Sequence, residues 1–179
     1  MSNKKLSLSE LNRISVEEFK EKQKTPLIVI LDNIRSLNNV GAVFRTSDAF
    51  AIEKIYLCGY TPTPPHREIQ KTAIGATQSV EWEYKENILD LISDLKINSW
   101  DIFAIEQTEN STMLQEFEPS GKLAIVMGNE VEGVQQAVID KCNGVIEIPQ
   151  EGTKHSLNIS VSCGIMLWDL YRKIKFPQQ

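Results

Sequence analysis

The chain has 179 residues, 41% of them hydrophobic, with 19 Lys+Arg against 24 Asp+Glu for a formal charge of −5. That length can carry one sizeable core, and the composition, with seven Pro and nine Gly, excludes a disordered chain, a collagen-like repeat and a low-complexity tract. The longest apolar runs, 27–31 and 123–127 among them, are about a quarter of the roughly 20 residues a membrane-spanning helix requires, so no such span is expected.

From the N-terminus, two helix-start patterns come first, Ser7-x-x-Glu10 and Ser15-x-x-Glu18, each able to satisfy free backbone N–H groups by reciprocal capping. Pro26 is expected to end this helical lead-in, so residues 1–25 read as a short N-terminal extension and 26–179 as one domain. The lead-in lacks the apolar core of a secretory signal, and a cytoplasmic protein is expected. Beyond Pro26, six short β-rich runs follow at 27–31, 54–59, 80–84, 100–106, 122–128 and 144–149. They alternate with helical patterns at about 40–51, 67–75, 86–97, 132–141 and 156–173. This alternation predicts an α/β fold with a mostly parallel, buried sheet flanked by helices.

The three cysteines, Cys58, Cys142 and Cys163, are dispersed and odd in number, which gives neither a disulfide framework nor a zinc spacing. With two histidines and no HExxH, no metal site is expected. GxGxxG and GxxxxGK[ST] are also absent, which disfavours the common dinucleotide and NTP loops.

In open α/β sheets ligands bind beyond the carboxyl ends of the strands. Three segments there are rich in polar side chains beside glycine. In NNVGAVFRTSDAF, Asn39 either caps a helix or, with Arg45 six residues on, faces a ligand that an arginine could hold through a phosphate. In VMGNEVEGV, Glu130 lies between Gly128 and Gly133, either as a cap or as the acceptor for a hydroxyl, an amine or a basic group. In IPQEGTKHSLNIS, Ser156 or Asn158 could cap the last helix, and one cap does not need both. His155 beside Lys154 reads as an exposed loop residue rather than a general base.

Taken in order, NVGAVFR, GNEVEG and IPQEGTKHSLNISVS resemble the three motifs of the SpoU (TrmH) class of SPOUT RNA methyltransferases, over about residues 26–173. LDNIRSLNNVGAVFRTSDAF, PPHREIQKTAIGATQSVEW and AIEQT resemble the class as well. Two positions depart from it: Ala51 stands where glycine is frequent, and Gln150 where an apolar residue is common. The resemblance implies methyl transfer from S-adenosylmethionine to a ribose 2′-hydroxyl of tRNA or rRNA, a C-terminal trefoil knot that binds the donor, and a homodimer that completes the active site. It implies that Asn39, Arg45, Glu130, Ser156 and Asn158 form the catalytic and RNA-facing set. The donor would lie against backbones around Glu106, Gln107, Thr108, Val126, Met127, Gly128, Ile148 and Leu157. No metal is required, because the sulfonium supplies its own driving force.

Because the lead-in is too short to be a separate RNA-binding domain, tRNA is favoured, and phosphate contacts are expected from Arg35, His66, Arg67, Lys71 and Lys154, with Arg172, Lys173 and Lys175 at the tail. Ser156, Ser160 and Gly164, four residues apart, suggest a close-packed helix face, either for the dimer or against the domain's own sheet. The alternative is an RNA-binding protein on the same fold that is catalytically silent or needs a partner subunit. Such a protein is expected to lack Arg45, Glu130 or Asn158, and all three are present.

Overall fold

The computed structural model describes residues 3–7 and 9–177. Seven parallel strands form one sheet: β1 (Thr25–Asp32), β2 (Ile52–Cys58), β3 (Trp82–Lys85), β4 (Trp100–Ile105), β5 (Thr112–Met113), β6 (Lys122–Met127) and β7 (Gly144–Glu147). Their order is β3-β2-β1-β6-β4-β7-β5, which places β1 and β6 side by side although about ninety residues separate them in the chain. Pro26 does not precede the first strand but lies inside it. Having no N–H to give the ladder, it coincides with the break in register between Thr25 and Ile28. The two-residue β5 is too short to leave a periodic signal and was not expected from the sequence.

Helices α2 (Leu37–Ala49), α3 (Arg67–Ala73) and α7 (Ile159–Lys175) cover one face of the sheet, and α5 (Ile88–Ile97) and α6 (Gln136–Ile139) the other. Side-chain alternation assigns the faces: Leu27, Val29 and Leu31 join the α2/α3/α7 core, whereas Ile28 and Ile30 join the α5/α6 core. On α2, Val40, Val43 and Phe44 are fully buried, each stabilising the packing by about 2 kcal/mol. Gly41 lets α3 approach. A Cβ there would meet Thr72 Oγ1 at 2.0 Å and the Ile69 carbonyl oxygen at 2.4 Å.

The lead-in forms a 3-10 turn at Ser9–Leu11 and α1 (Val16–Glu21), and the full Ser15/Glu18 capping box is present. The helix expected over 67–75 ends at Ala73, because Ile74 and Gly75 both take left-handed backbone angles, and a separate short helix, α4 (Ala76–Ser79), follows beyond the expected range. Among the described residues no helix is long and apolar enough to cross a membrane.

Candidate active site

The loops after β1, β6 and β7 meet at the carboxyl edge of the sheet. Ser36, not Asn39, caps α2: its side chain accepts the Asn39 N–H. Asn39 is thereby left for another task. Its Nδ2 donates to Glu130 Oε1 at 3.1 Å, and its Oδ1 accepts from Asn158 Nδ2 at 3.2 Å. The Glu130 carboxylate also accepts the backbone N–H groups of Arg35 at 2.9 Å and Ser36 at 3.0 Å, so it sits on the N-terminus of α2. Asn158 is the cap of α7, and its Oδ1 accepts from Ser160 N at 2.9 Å and Ser160 Oγ at 2.7 Å.

These bonds form one directed chain, α7 N-terminus to Asn158 to Asn39 to Glu130. A carboxylate can only accept, and a helix N-terminus can only donate. Both amide orientations in between are therefore fixed by the ends. Burial opposes ionisation of Glu130, but the Arg35 and Ser36 N–H groups, its own N–H and the Asn39 amide outweigh it and hold the carboxyl below its ordinary value.

Behind this network lies a cavity of about 700 Å³ whose lining includes Glu106, Gln107, Thr108, Met127, Gly128, Glu130, Ile148, Ser156, Leu157 and Asn158. Val126 is not on that wall: its side chain is fully buried in the α5/α6 core, so only its backbone is on offer. Asn129 and Gly133 of the same loop line it as well, together with residues that carry no motif signal in the sequence, Val134, Ile139, Glu147 and Ile159. Asn129 stands between Gly128 and Glu130 in the polar loop after β6. Its Oδ1 accepts the N–H groups of Val131 and Glu132 and shapes the turn. The lining carries the carboxylates of Glu106, Glu130, Glu132 and Glu147 and no Lys or Arg.

Glu106 builds the wall as well as facing it. One oxygen accepts the Val134 N–H at 3.0 Å, and the other accepts the Gln107 N–H at 2.8 Å. Gly133 lies against that carboxylate at φ +69, where a Cβ would come within 2.1 Å of Glu106 Oε2. Gly128 in turn packs on the Gly133 backbone, 2.3 Å from where its own Cβ would be. Gln107 Nε2 donates to the His155 carbonyl at 2.8 Å and ties the β4 loop to the β7–α7 loop.

Arg45 is exposed on α2 and does not line this cavity, and no described residue bonds its guanidinium. Arg35, Arg67, Lys71 and Lys154 are exposed, Arg67 and Lys71 one turn apart on α3. His66 caps α3 through Nδ1, which accepts the Glu68 N–H. Lys173 does not face phosphate. Its side chain is 7% exposed, pairs with Asp169, and donates to the carbonyls of Leu114 and Phe117. Arg172 is taken by Asp169 as well.

Of the three small residues, Ser156 precedes α7 while Ser160 and Gly164 lie on it, and no atom of the chain beyond the local helix lies within 4 Å of a Cβ at Gly164. What α7 exposes is an apolar stripe of Val161, Ile165 and Trp168. It adjoins α2 where Phe50 meets the rings of Trp168 at 5.9 Å and Tyr171 at 5.2 Å. Among the described residues no group of His, Cys, Asp and Glu is placed to hold a metal ion.

Residues 26–168 match the SpoU rRNA Methylase family. A curated protein of Staphylococcus haemolyticus, named for the TrmH family of tRNA/rRNA methyltransferases, is 30% identical over 158 residues. That alignment covers 88% of this chain and 63% of the relative, so the chain spans less than two thirds of the relative's length. The A. aeolicus TrmH/SpoU tRNA modifying enzyme superposes with a TM-score of 0.79 at 26% identity, covering 88% of this chain and 81% of that one. An AdoMet-bound rRNA methyltransferase from Sinorhizobium meliloti gives 0.77 at 25% identity, covering 87% and 59%.

Proposed function

The chain belongs to the SpoU rRNA methylase family, and on that premise we propose that it transfers a methyl group from S-adenosylmethionine to a ribose 2′-hydroxyl of RNA. The observation that carries this reading is the bonded chain Asn158–Asn39–Glu130, which locks the three motif loops together at the mouth of one cavity. At about 700 Å³ the cavity suits a nucleoside-sized ligand. Four carboxylates and no Lys or Arg in its lining suit a sulfonium cation and disfavour a polyphosphate. When bound there, S-adenosylmethionine supplies an electrophilic methyl carbon.

The protein's part is to hold the 2′-oxygen in line and to lower the cost of the charge it develops. Ser156, exposed at the cavity rim, can orient the ribose by donating or accepting. Asn39 and Asn158 hold the two loops in register. Arg45 stands six residues beyond Asn39, about 9 Å along α2, outside its own chain's cavity and on the helix whose end, at Phe50, touches Trp168 of the apolar stripe. We place it in a partner's site, across a homodimer formed on that stripe. A guanidinium is too weak a base to take the proton, so Arg45 with an RNA phosphate stabilises the alkoxide while phosphate or water accepts it. In this reading the segment around β6 and β7 is tied in the trefoil knot of the class, and the enzyme works in the cytoplasm. tRNA is the preferred substrate, supported by the 81% coverage of the A. aeolicus tRNA modifying enzyme against 59% of the rRNA enzyme.

Incubation of the purified protein with labelled S-adenosylmethionine and separate pools of unmodified tRNA and rRNA, followed by nucleoside mass spectrometry, tests this. A 2′-O-methyl nucleoside in the tRNA pool is the expected result. Methyl on a base, or donor binding without transfer to either pool, overturns it.

A further inference from the structure

Tyr60, in the turn after β2, is 61% exposed, yet it is held on both sides. Its N–H donates to Asn33 Oδ1 at 3.2 Å, and its phenol oxygen accepts from Asn129 Nδ2 at 2.6 Å. The Asn129 amide cannot be turned round, because its Oδ1 already accepts two backbone N–H groups and its Nδ2 also donates to the Asn33 carbonyl at 2.8 Å. Asn129 is thus the donor, and the phenol proton of Tyr60 is left over for an outside acceptor. The next residue is pinned as well: Thr61 Oγ1 donates to the Leu31 carbonyl and accepts the Ile34 N–H. An exposed tyrosine ordinarily samples several rotamers. This one has its freedom removed before anything binds.

Its neighbours identify what such a ring could meet. Asn129 directly precedes Glu130, whose carboxylate holds the Arg35 and Ser36 N–H groups at the cavity mouth. Arg35 follows Ile34, whose N–H is bonded to Thr61, so an exposed arginine belongs to the loop that the Tyr60 turn pins. His66 and Arg67 begin α3 at the end of the same loop. A held aromatic face on loops that also carry arginines is the arrangement that takes an unpaired base by stacking and its phosphates by charge.

We infer that Tyr60 is a stacking platform for an unpaired base of the RNA next to the methylated ribose. This rests on the RNA methyltransferase reading above. The base stacks on the exposed face of the ring, and the free phenol proton is donated to a phosphate or ribose oxygen.

Two variants separate the ring from its hydrogen bond. Tyr60→Leu removes the stacking surface and is expected to raise the Kd for unmodified bulk tRNA, measured by filter binding at fixed salt, about tenfold. Tyr60→Phe keeps the ring but loses the Asn129 bond, and is expected to stay within about threefold of wild type. Both should bind S-adenosylmethionine as the parent does. Equal losses in the two variants would mean that Tyr60 acts only by positioning Asn129, and no loss in Tyr60→Leu would remove it from the RNA surface; either overturns the inference.

Ultraviolet crosslinking of the unaltered protein to bulk tRNA needs no variant to fold. An RNA adduct on the 55–67 tryptic peptide, localised to Tyr60, is expected, and adducts elsewhere only would overturn the inference. If the parent protein binds donor but no RNA, the underlying functional reading fails and this one with it. If it binds and methylates RNA with Tyr60 indifferent, this one fails alone.

Discussion

Glu130 shows how much a single carboxylate can organise when its partners are all donors. Glu130→Gln keeps the shape but puts an NH2 group where the N–H of Arg35 or Ser36 must be accepted. We expect it to destabilise the fold at pH 7 by about 1–2 kcal/mol, discounted for its partial exposure. The sign with pH follows from the direction of the shift. Because the folded carboxyl is more acidic than the unfolded one, its contribution is fully present above the unfolded value, about 4.3, and is lost as the pH falls through the lower folded value. Urea melts of wild type and variant should therefore differ at pH 7 and converge in acid. A gap that widened as the pH fell would contradict the assignment of Glu130 as the anchored base of α2. The three thiols take no part in the site: burial raises Cys58 and Cys163 to about 12 and Cys142 to about 11, which leaves them protonated.

Between elements, the contact of α2 with α3 depends on Gly41. Gly41→Ala suits a helix by propensity, yet its methyl would fall 2.4 Å from the Ile69 carbonyl oxygen, which belongs to the backbone and cannot rotate aside. We expect a loss of about 1–3 kcal/mol from forced separation of the two helices, read as a lower thermal midpoint. The companion Thr72→Ala should not restore it, because the side-chain clash is only half of the problem. α3 carries His66, Arg67 and Lys71, so tRNA affinity should weaken as well. Unchanged stability in Gly41→Ala would show that α3 yields without cost. The pairing of Gly133 with Glu106 follows the same logic, since a positive φ and a carboxylate at contact distance together leave room only for hydrogen.

For the whole molecule, the exposed stripe of Val161, Ile165 and Trp168 on α7 is the surface on which we place the second copy. Trp168 is 52% exposed and touches Phe50 at the end of α2, the helix that carries Arg45. Trp168→Glu puts a charge at the end of that stripe next to Phe50, on a residue that is itself half exposed. We expect the mass in sedimentation to drop from about twice the 20.3 kDa of the chain to a single copy. The circular dichroism should be unchanged and methyl transfer lost, because Arg45 then has no partner cavity to enter. Full activity in a protein that sediments as a single copy would place Arg45 in its own chain's site and end the shared-site reading.

By itself the sequence determined the α/β class, the parallel sheet and the loops that carry polar chemistry. These follow from apolar periodicity and from glycine and proline punctuation, which act over a few residues. It also placed Ser15 and Glu18 in a capping box, a contact only three residues long. The tertiary structure decided what depends on partners far along the chain. Asn39 could be read as a cap or as a ligand-facing group; it is neither a cap nor free, because Glu130 is 91 residues away and Asn158 is 119. Lys173 reads as a surface cation, but the fold places two carbonyl oxygens and Asp169 around it. The helix expected over 132–141 shortens to Gln136–Ile139 because Asn129, Glu106 and Gly133 hold its first residues as a loop. Tyr60 has no local signal at all, since its fixed ring is the product of hydrogen bonds to Asn33 and Asn129. Periodicity is written in neighbours; the choice of partner for an amide, a carboxylate or a phenol is made only when the strand order brings distant loops to one edge of the sheet.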